Sequence, residues 1–171
     1  MKEKIPVPIS VKMLPHFPTV LVGTGKGEES NLITVALIHV FSFDPPYIGI
    51  GIAPERHSFH LLKEHPEFTV NVPTEEQLEL VKGCGKVSGR DVDKFEKFSL
   101  TKELTNKIST PGVEECPLTF FCRVVDTIET GDHHWFIGKV ISASKKEEYV
   151  RENTILYWGG EFRTPGDEIK E

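Results

Sequence analysis

The side chains in this sequence that could do chemistry are cations, hydroxyls and amides rather than nucleophiles. Residues 84–95, CGKVSGRDVDKF, set Ser88, Gly89, Arg90 and Lys94 close together. Glycine, a serine hydroxyl and fixed cations are what wraps backbone N–H groups and positive charge around a phosphate. Arg56, His57 and Ser58 form a second such group at the start of a candidate helix. Asn31, Thr34 and Ser42 add an amide and two hydroxyls at strand ends. Taken singly, each is also what a turn or cap uses. Asp91 and Asp93 beside the two cations would equally make a solvated charge cluster.

The standard nucleotide loops are absent. GTGKG at 23–27 has Val20 where a Walker loop needs its first glycine, and no hydroxyl follows Lys26. GIGIAP, from Gly49, ends on Pro54 where the dinucleotide fingerprint has a glycine. His57 and His60 stand three apart with His65 beyond, but no carboxylate or cysteine spacing completes a metal set. Three cysteines, Cys84, Cys116 and Cys122, suit neither a disulfide framework nor a four-cysteine zinc site. There is no G-x-S-x-G elbow. No catalytic side chain and no metal site are therefore assigned. His133 and His134 are adjacent, so a strand sends them to opposite faces, and one of the two faces a cavity.

The elements that must position these groups are mostly strands. Short runs rich in β-branched and aromatic residues, bounded by Pro, Gly, Asn or Asp, fall at 19–23, 33–39, 47–52, 67–72, 118–125 and 135–141. Gly131-Asp132 marks a turn before the last, and 127–130 extends the arm leading into it. Helices are expected at 55–65, at 74–82 with Thr74 capping, Gln77 three residues on and Gly83 after the end, and as a short turn at 91–98. Without βαβ alternation a parallel sheet fits poorly, and a closed or half-closed antiparallel barrel with helices outside fits better. One domain, 1–171, is expected, with a core over roughly 11–160 and frayed polar tails at 1–10 and 163–171.

A formal net charge of −6 argues against a sequence-independent grip on nucleic acid. No apolar run approaches the length of a membrane span, and the first residues lack the apolar stretch of a secretory signal, so a cytoplasmic protein is expected.

The ordered set of short motifs resembles the flavin reductase-like family of FMN-binding split-barrel proteins, flavoredoxins among them. N-x-x-T at Asn31, S-F-x-P-P at Ser42, R-H-S at Arg56, F-x-V-N at Phe68 and C-G-x-x-S-G-x-x-x-D-K-F at Cys84 occur in that order. The resemblance implies a mainly β fold, an antiparallel, Greek-key-like split barrel with short flanking helices. It implies FMN held between two subunits of a homodimer. Asn31, Leu32, Ile33, Thr34 and the strand to Ser42 would lie along the isoalloxazine and ribityl chain. Arg56, His57, Ser58, Ser88, Gly89, Arg90 and Lys94 would surround the phosphate. His133 or His134 would approach the cofactor, and Tyr157 would cover the flavin or seal the dimer. The strand 35–41 carries no thiol, a departure that tells against cysteine-assisted metal reduction.

The implied activity is hydride transfer from NAD(P)H to FMN, with electrons passed to free flavin, an iron chelate or a partner protein. The alternative is a flavoredoxin-like carrier with bound FMN and no direct NAD(P)H oxidation.

Overall fold

The computed structural model describes residues 2–14 and 17–169. In chain order the strands are β1 (Phe17–Pro18), β2 (Val20–Thr24), β3 (Asn31–Val35), β4 (Ile38–Phe43), β5 (Pro46–Ile52) and β6 (Glu67–Val72). They continue with β7 (Lys102–Glu103), β8 (Gly112–Val113), β9 (Leu118–Thr130), β10 (His133–Lys145), β11 (Leu156–Trp158) and β12 (Glu161–Arg163). The α-helices are α1 (Val7–Ser10), α2 (His57–Glu64), α3 (Leu78–Lys86) and α4 (Lys94–Lys97).

Seven strands form one antiparallel sheet in the order β3-β2-β6-β9-β10-β5-β4. Its two edge strands, β3 and β4, are separated in the chain only by Ala36 and Leu37. Gly51 N–H donates to the Leu37 carbonyl at 2.8 Å, and Ile38 N–H to that of Ala36 at 3.1 Å. The sheet therefore curls until its edges meet at this corner. Elsewhere it stays open around an apolar cavity of about 460 Å³, walled by Ile38, Val40 and Tyr47 on one side and Val70, Phe120 and Val140 on another.

The expected single strand over 33–39 is thus two strands with a corner. An apolar run such as VALI looks the same to pattern reading whether the ladder continues or changes partner.

β2 is buried along its whole length because it lies between two cores. Val20 and Val22 point into the barrel with Ile50, Phe68, Val70 and Phe136. Leu21 points outward to meet Leu32, Val81, Cys84 and Phe95. The period of two sends alternate side chains to opposite faces, and each fully buried aliphatic contributes roughly 1.5–3 kcal/mol.

The outer core is closed by α3, whose Leu78, Val81 and Cys84 recur every three residues. Thr74 and Gln77 form the expected capping box, with Thr74 N–H donating to Gln77 Oε1 at 3.0 Å. That box caps a 3-10 turn, Glu75–Gln77, which leads into α3. Gly83 does not end the helix, which runs on to Lys86. A Cβ on Gly83 would come within 2.6 Å of the Phe98 ring, so this glycine serves close packing.

The last hairpin is longer than expected, each arm having 13 residues. The N-terminal tail contains a helical turn rather than only frayed chain, with Val7, Ile9, Val11 and Met13 exposed. Met1, Lys170 and Glu171 of the tails lie outside the described residues. Among the described residues no helix is long and apolar enough to cross a membrane.

Candidate functional site

The cations converge where β3, the start of α2 and the end of α3 meet. α2 begins at His57 with no side-chain cap on its first turn; Phe59 N–H donates to the Arg56 carbonyl at 3.0 Å, and the His57 and Ser58 N–H groups lead the helix without an intrahelical partner. Beside it the turn at 88–90 follows α3. Gly89 packs so closely on Asn31 Oδ1 that a Cβ there would overlap it, and would sit 3.0 Å from His57 Cδ2. This approach brings Ser88 and Arg90 over the helix start. The result is a cavity of about 240 Å³ lined by Asn31, Arg56, His57, Ser58, Ser88 and Arg90, among others.

Its electrostatics favour an anion. Arg56, Lys86, Arg90 and Lys94 line it against one carboxylate residue, Glu55. Glu55 lies 3.7 Å from Arg56 Nε, and its carbonyl accepts from Arg90 Nη2 at 3.4 Å. Burial, and then the Arg90 charge, hold the His57 imidazole below its usual value of 6.5, with His60 and Lys94 acting in the same direction. Burial alone would lower this pKa in a neutral cavity; the Arg90 and Lys94 charges are the part that marks the lobe as electropositive.

Behind the cations the wall is a fixed polar network. Ser58 Oγ accepts from Asn31 Nδ2 at 2.9 Å and from Thr24 Oγ1 at 3.2 Å. Both Ser58 and Asn31 are buried.

A second cavity of about 200 Å³ continues from the first, sharing Ile33, Arg56 and Gly85. It is lined by β3 and the corner after it, including Thr34, Ala36 and Leu37, and by Gly51, Ala53 and His133. A Cβ on Gly85 would meet only Thr34, at 3.5 and 3.6 Å, so the glycine keeps the junction of the two lobes open. Thr34 Oγ1 itself is engaged, donating to the Val81 carbonyl at 2.6 Å.

Of the residues expected from sequence, Asn31, Ile33, Thr34, Arg56, His57, Ser58, Ser88, Gly89, Arg90, Lys94 and His133 line one lobe or both. His133 points into the second lobe, whereas His134 stacks edge-on against Phe59 at 5.0 Å between ring centroids.

The side chains of four expected residues are not presented to the cleft as free ligands. Leu32 is fully buried in the outer core, because its side chain alternates away from the cleft. Ser42 lies on the apolar cavity, beyond the corner that turns β4 away from β3. Tyr157 belongs to the small β1-β11-β12 sheet and packs on Phe162. Lys94 is neither a solvated charge nor a free phosphate ligand. It is buried, with Nζ donating to the carbonyls of Leu32 and Cys84 at 2.6 and 2.8 Å. Asp93 instead caps α4, accepting from Phe95 N–H at 2.8 Å and Glu96 N–H at 3.1 Å.

Gly85 and Gly51 line the cleft without having been expected there. Gly85 stands inside the Cys-Gly motif, but Gly51 carries no side-chain chemistry that a sequence could flag. Among the described residues no group of three His, Cys, Asp or Glu could hold a metal ion.

A curled antiparallel sheet, split open on one side and bearing a two-lobed anion cleft outside it, defines the class. The chain belongs to the flavin reductase-like domain family, which it matches over residues 15–166. The sheet and its apolar opening are that family's split barrel. The chain is 37% identical over 122 residues to an uncharacterized protein of Archaeoglobus fulgidus, covering 71% of this chain and 69% of that one. It is 26% identical over 140 residues to the reductase component of the FADH(2)-dependent resorcinol hydroxylase of Rhizobium sp., covering 81% and 75%. The flavoredoxin of Methanosarcina acetivorans superposes with a TM-score of 0.87 at 26% identity, covering 100% of this chain and 95% of that one.

Proposed function

We propose that this chain binds FMN along the two-lobed cleft and oxidises NAD(P)H, passing electrons to free flavin, an iron chelate or a partner protein. One observation carries the reading: a cationic lobe at a helix start opens directly into a lobe walled mainly by apolar side chains and strand backbone, with Arg56 and His133 as its charged or titratable members. That is the shape and polarity of a phosphate joined to a planar heterocycle.

The residues fit the group. Arg56, Ser88, Arg90 and the leading N–H groups of α2 would hold the phosphate. The backbone along Ile33 to Leu37, with Gly51 and His133, would face the ring system. Gly85 leaves room at the junction for the chain between them. Bound FMN supplies the redox chemistry, which the fold tunes and shields. The chain's own residues bind, orient and exclude water, and the scheme requires no side-chain nucleophile. Likeness to the Rhizobium reductase component supports an enzyme.

Anaerobic addition of NADPH, then NADH, to the FMN-loaded protein tests this. Bleaching of the flavin bands within seconds is expected. Bands that persist until dithionite is added would support a flavoredoxin-like electron carrier instead, a reading favoured by the Methanosarcina structure.

A homodimer belongs to the same proposal. The apolar cavity and the exposed Phe43 on its rim leave a surface that a second copy would cover. Sedimentation of the wild type as a dimer and of Phe43→Glu as a monomer is expected, and a monomeric wild type would end this part of the proposal.

A further inference from the structure

Residues 5–13, IPVPISVKM, alternate strictly: Ile5, Val7, Ile9, Val11 and Met13 are large and apolar, and Pro6, Pro8, Ser10 and Lys12 separate them. A period of two is the mark of a strand with one buried face. The single chain does not satisfy it. Val7–Ser10 forms α1 and Val11–Met13 a 3-10 turn, and neither has a buried residue. In a helix a step of two residues turns about 200° around the axis, so the apolar side chains fall on opposite sides. All five are exposed, from 41% to 80%.

A free sheet edge has the complementary need. Among the described residues β4 pairs with β5 alone, and its IHVFSF carries none of the prolines or lysines that guard an edge strand. His39, Val40, Phe41 and Phe43 are exposed along it. Ile38, Val40 and Ser42 wall the apolar cavity of about 460 Å³ at the split.

The prolines of the arm suit such an edge. In an extended chain Pro6 and Pro8 leave donors missing on one side only, the side they share with Ser10 and Lys12. Ile5, Val7, Ile9, Val11 and Met13 keep their N–H groups on the other side, and their side chains share one face. The arm can therefore pair through one edge, while its proline edge stops a further strand from adding. The tether decides whose edge it meets. The chain has no glycine before Gly23, and Pro15 and Pro18 follow the arm. Phe17 and Pro18 are pinned by pairing with Tyr157 and Leu156, and Pro18 already lines the cavity. A stiff root at the cavity's own rim projects the arm outward instead of doubling it back.

We infer that, in the homodimer proposed above, on which this rests, residues 5–13 of each subunit add as a strand to β4 of the second copy and seat Val7, Ile9 and Val11 in its apolar cavity. A two-fold axis closes this exchange of arms.

The tests use the full chain. In sedimentation Ile9→Glu, which puts a carboxylate in the cavity, is expected to weaken the dimer roughly a hundredfold, whereas Ser10→Glu on the solvent face should change it less than about twofold. Amide exchange in the dimer should alternate, with Val7, Ile9 and Val11 protected and Ser10 and Lys12 free. To show whose barrel the arm meets, Ile9→Cys protein is mixed with Val40→Cys protein, left to exchange subunits and treated with a short bis-maleimide. A product of twice the chain mass is expected, with mass mapping assigning the link between the two introduced positions.

No such link in the mixture, with an internal link in the chain carrying both substitutions, would place the arm on its own barrel and overturn the inference. Equal effects of the two glutamates would overturn it as well, and in either case the dimer would stand. A monomeric wild type would instead end the homodimer reading, and the exchange of arms with it.

Discussion

Lys94 reaches back to Leu32: its Nζ lies 2.6 Å from the Leu32 carbonyl, joining α4 to the edge strand that walls the cleft. The same ammonium holds the Cys84 carbonyl near the end of α3. Lys94→Met keeps the apolar stem but strips both carbonyls of a charged donor, a bond worth about 1.5–3 kcal/mol each. Relief from burying the charge offsets part of this, so a net loss of about 2 kcal/mol by urea denaturation is expected. Burial lowers the Lys94 pKa from 10.5. The unfolded chain therefore holds this proton more tightly, and between the lowered folded value and 10.5 stability gains as pH rises. The gap between wild type and Lys94→Met should widen towards pH 10. A gap independent of pH would place the ammonium outside the fold's balance.

The two arginines are expected to read the phosphate and not the ring. Each is exposed enough that its bond to an anion is worth little more than the lower end of the charged range, so Arg56→Ala and Arg90→Ala should each weaken FMN roughly tenfold. Riboflavin, which lacks the phosphate, should be affected less than about twofold. Paired fluorescence titrations measure both ligands. Equal losses would show that the arginines support the fold of the lobe rather than contact the phosphate.

The contrast between these cations shows where sequence is legible. Arg90 and Lys94 lie four residues apart in one motif and look alike there. One reaches the lobe's surface and the other is drawn inside, a difference set by which way α4 faces after its Asp93 cap. The barrel strands are legible because their apolar alternation is local. The corner at Ala36-Leu37 is not, because it depends on Gly51 of β5 offering its N–H to Leu37. The outer hairpin arm around Thr127, with exposed residues on both faces, lacks the apolar signal that marks a strand. Adjacency alone makes His133 and His134 point apart, but only packing against Phe59 assigns His134 to the other side.

His57 links FMN binding to pH. In the ligand-free chain its pKa lies below 6.5, mainly through burial and then through Arg90. Folding alone therefore releases this proton, and stability falls as pH drops from 6.5 towards the depressed folded value. A phosphate dianion in the same lobe opposes both the burial and the cations, raising the pKa, so binding takes up a proton. FMN should bind more tightly at pH 6.5 than at pH 8, by up to about fourfold where the phosphate makes the imidazole about ten times more basic. His57→Gln should flatten that dependence. An unchanged slope in the variant would assign the coupling to another group.

The cysteines are placed for packing rather than reaction. Burial pushes Cys84 up to about 11 and both Cys116 and Cys122 up to about 12. The nucleophile is the thiolate, and at pH 8 a group near 11 is ionised in roughly one molecule in a thousand. Lys94 beside Cys84 acts against its burial, so Cys84 should be the first of the three to react. Native protein treated with a disulfide reagent at pH 8 is expected to label at least a hundredfold more slowly than urea-unfolded protein. Mass mapping should find the early label on Cys84. A thiol that reacts in the native protein as fast as in urea would contradict this placement and reopen a redox role for cysteine beside the cleft.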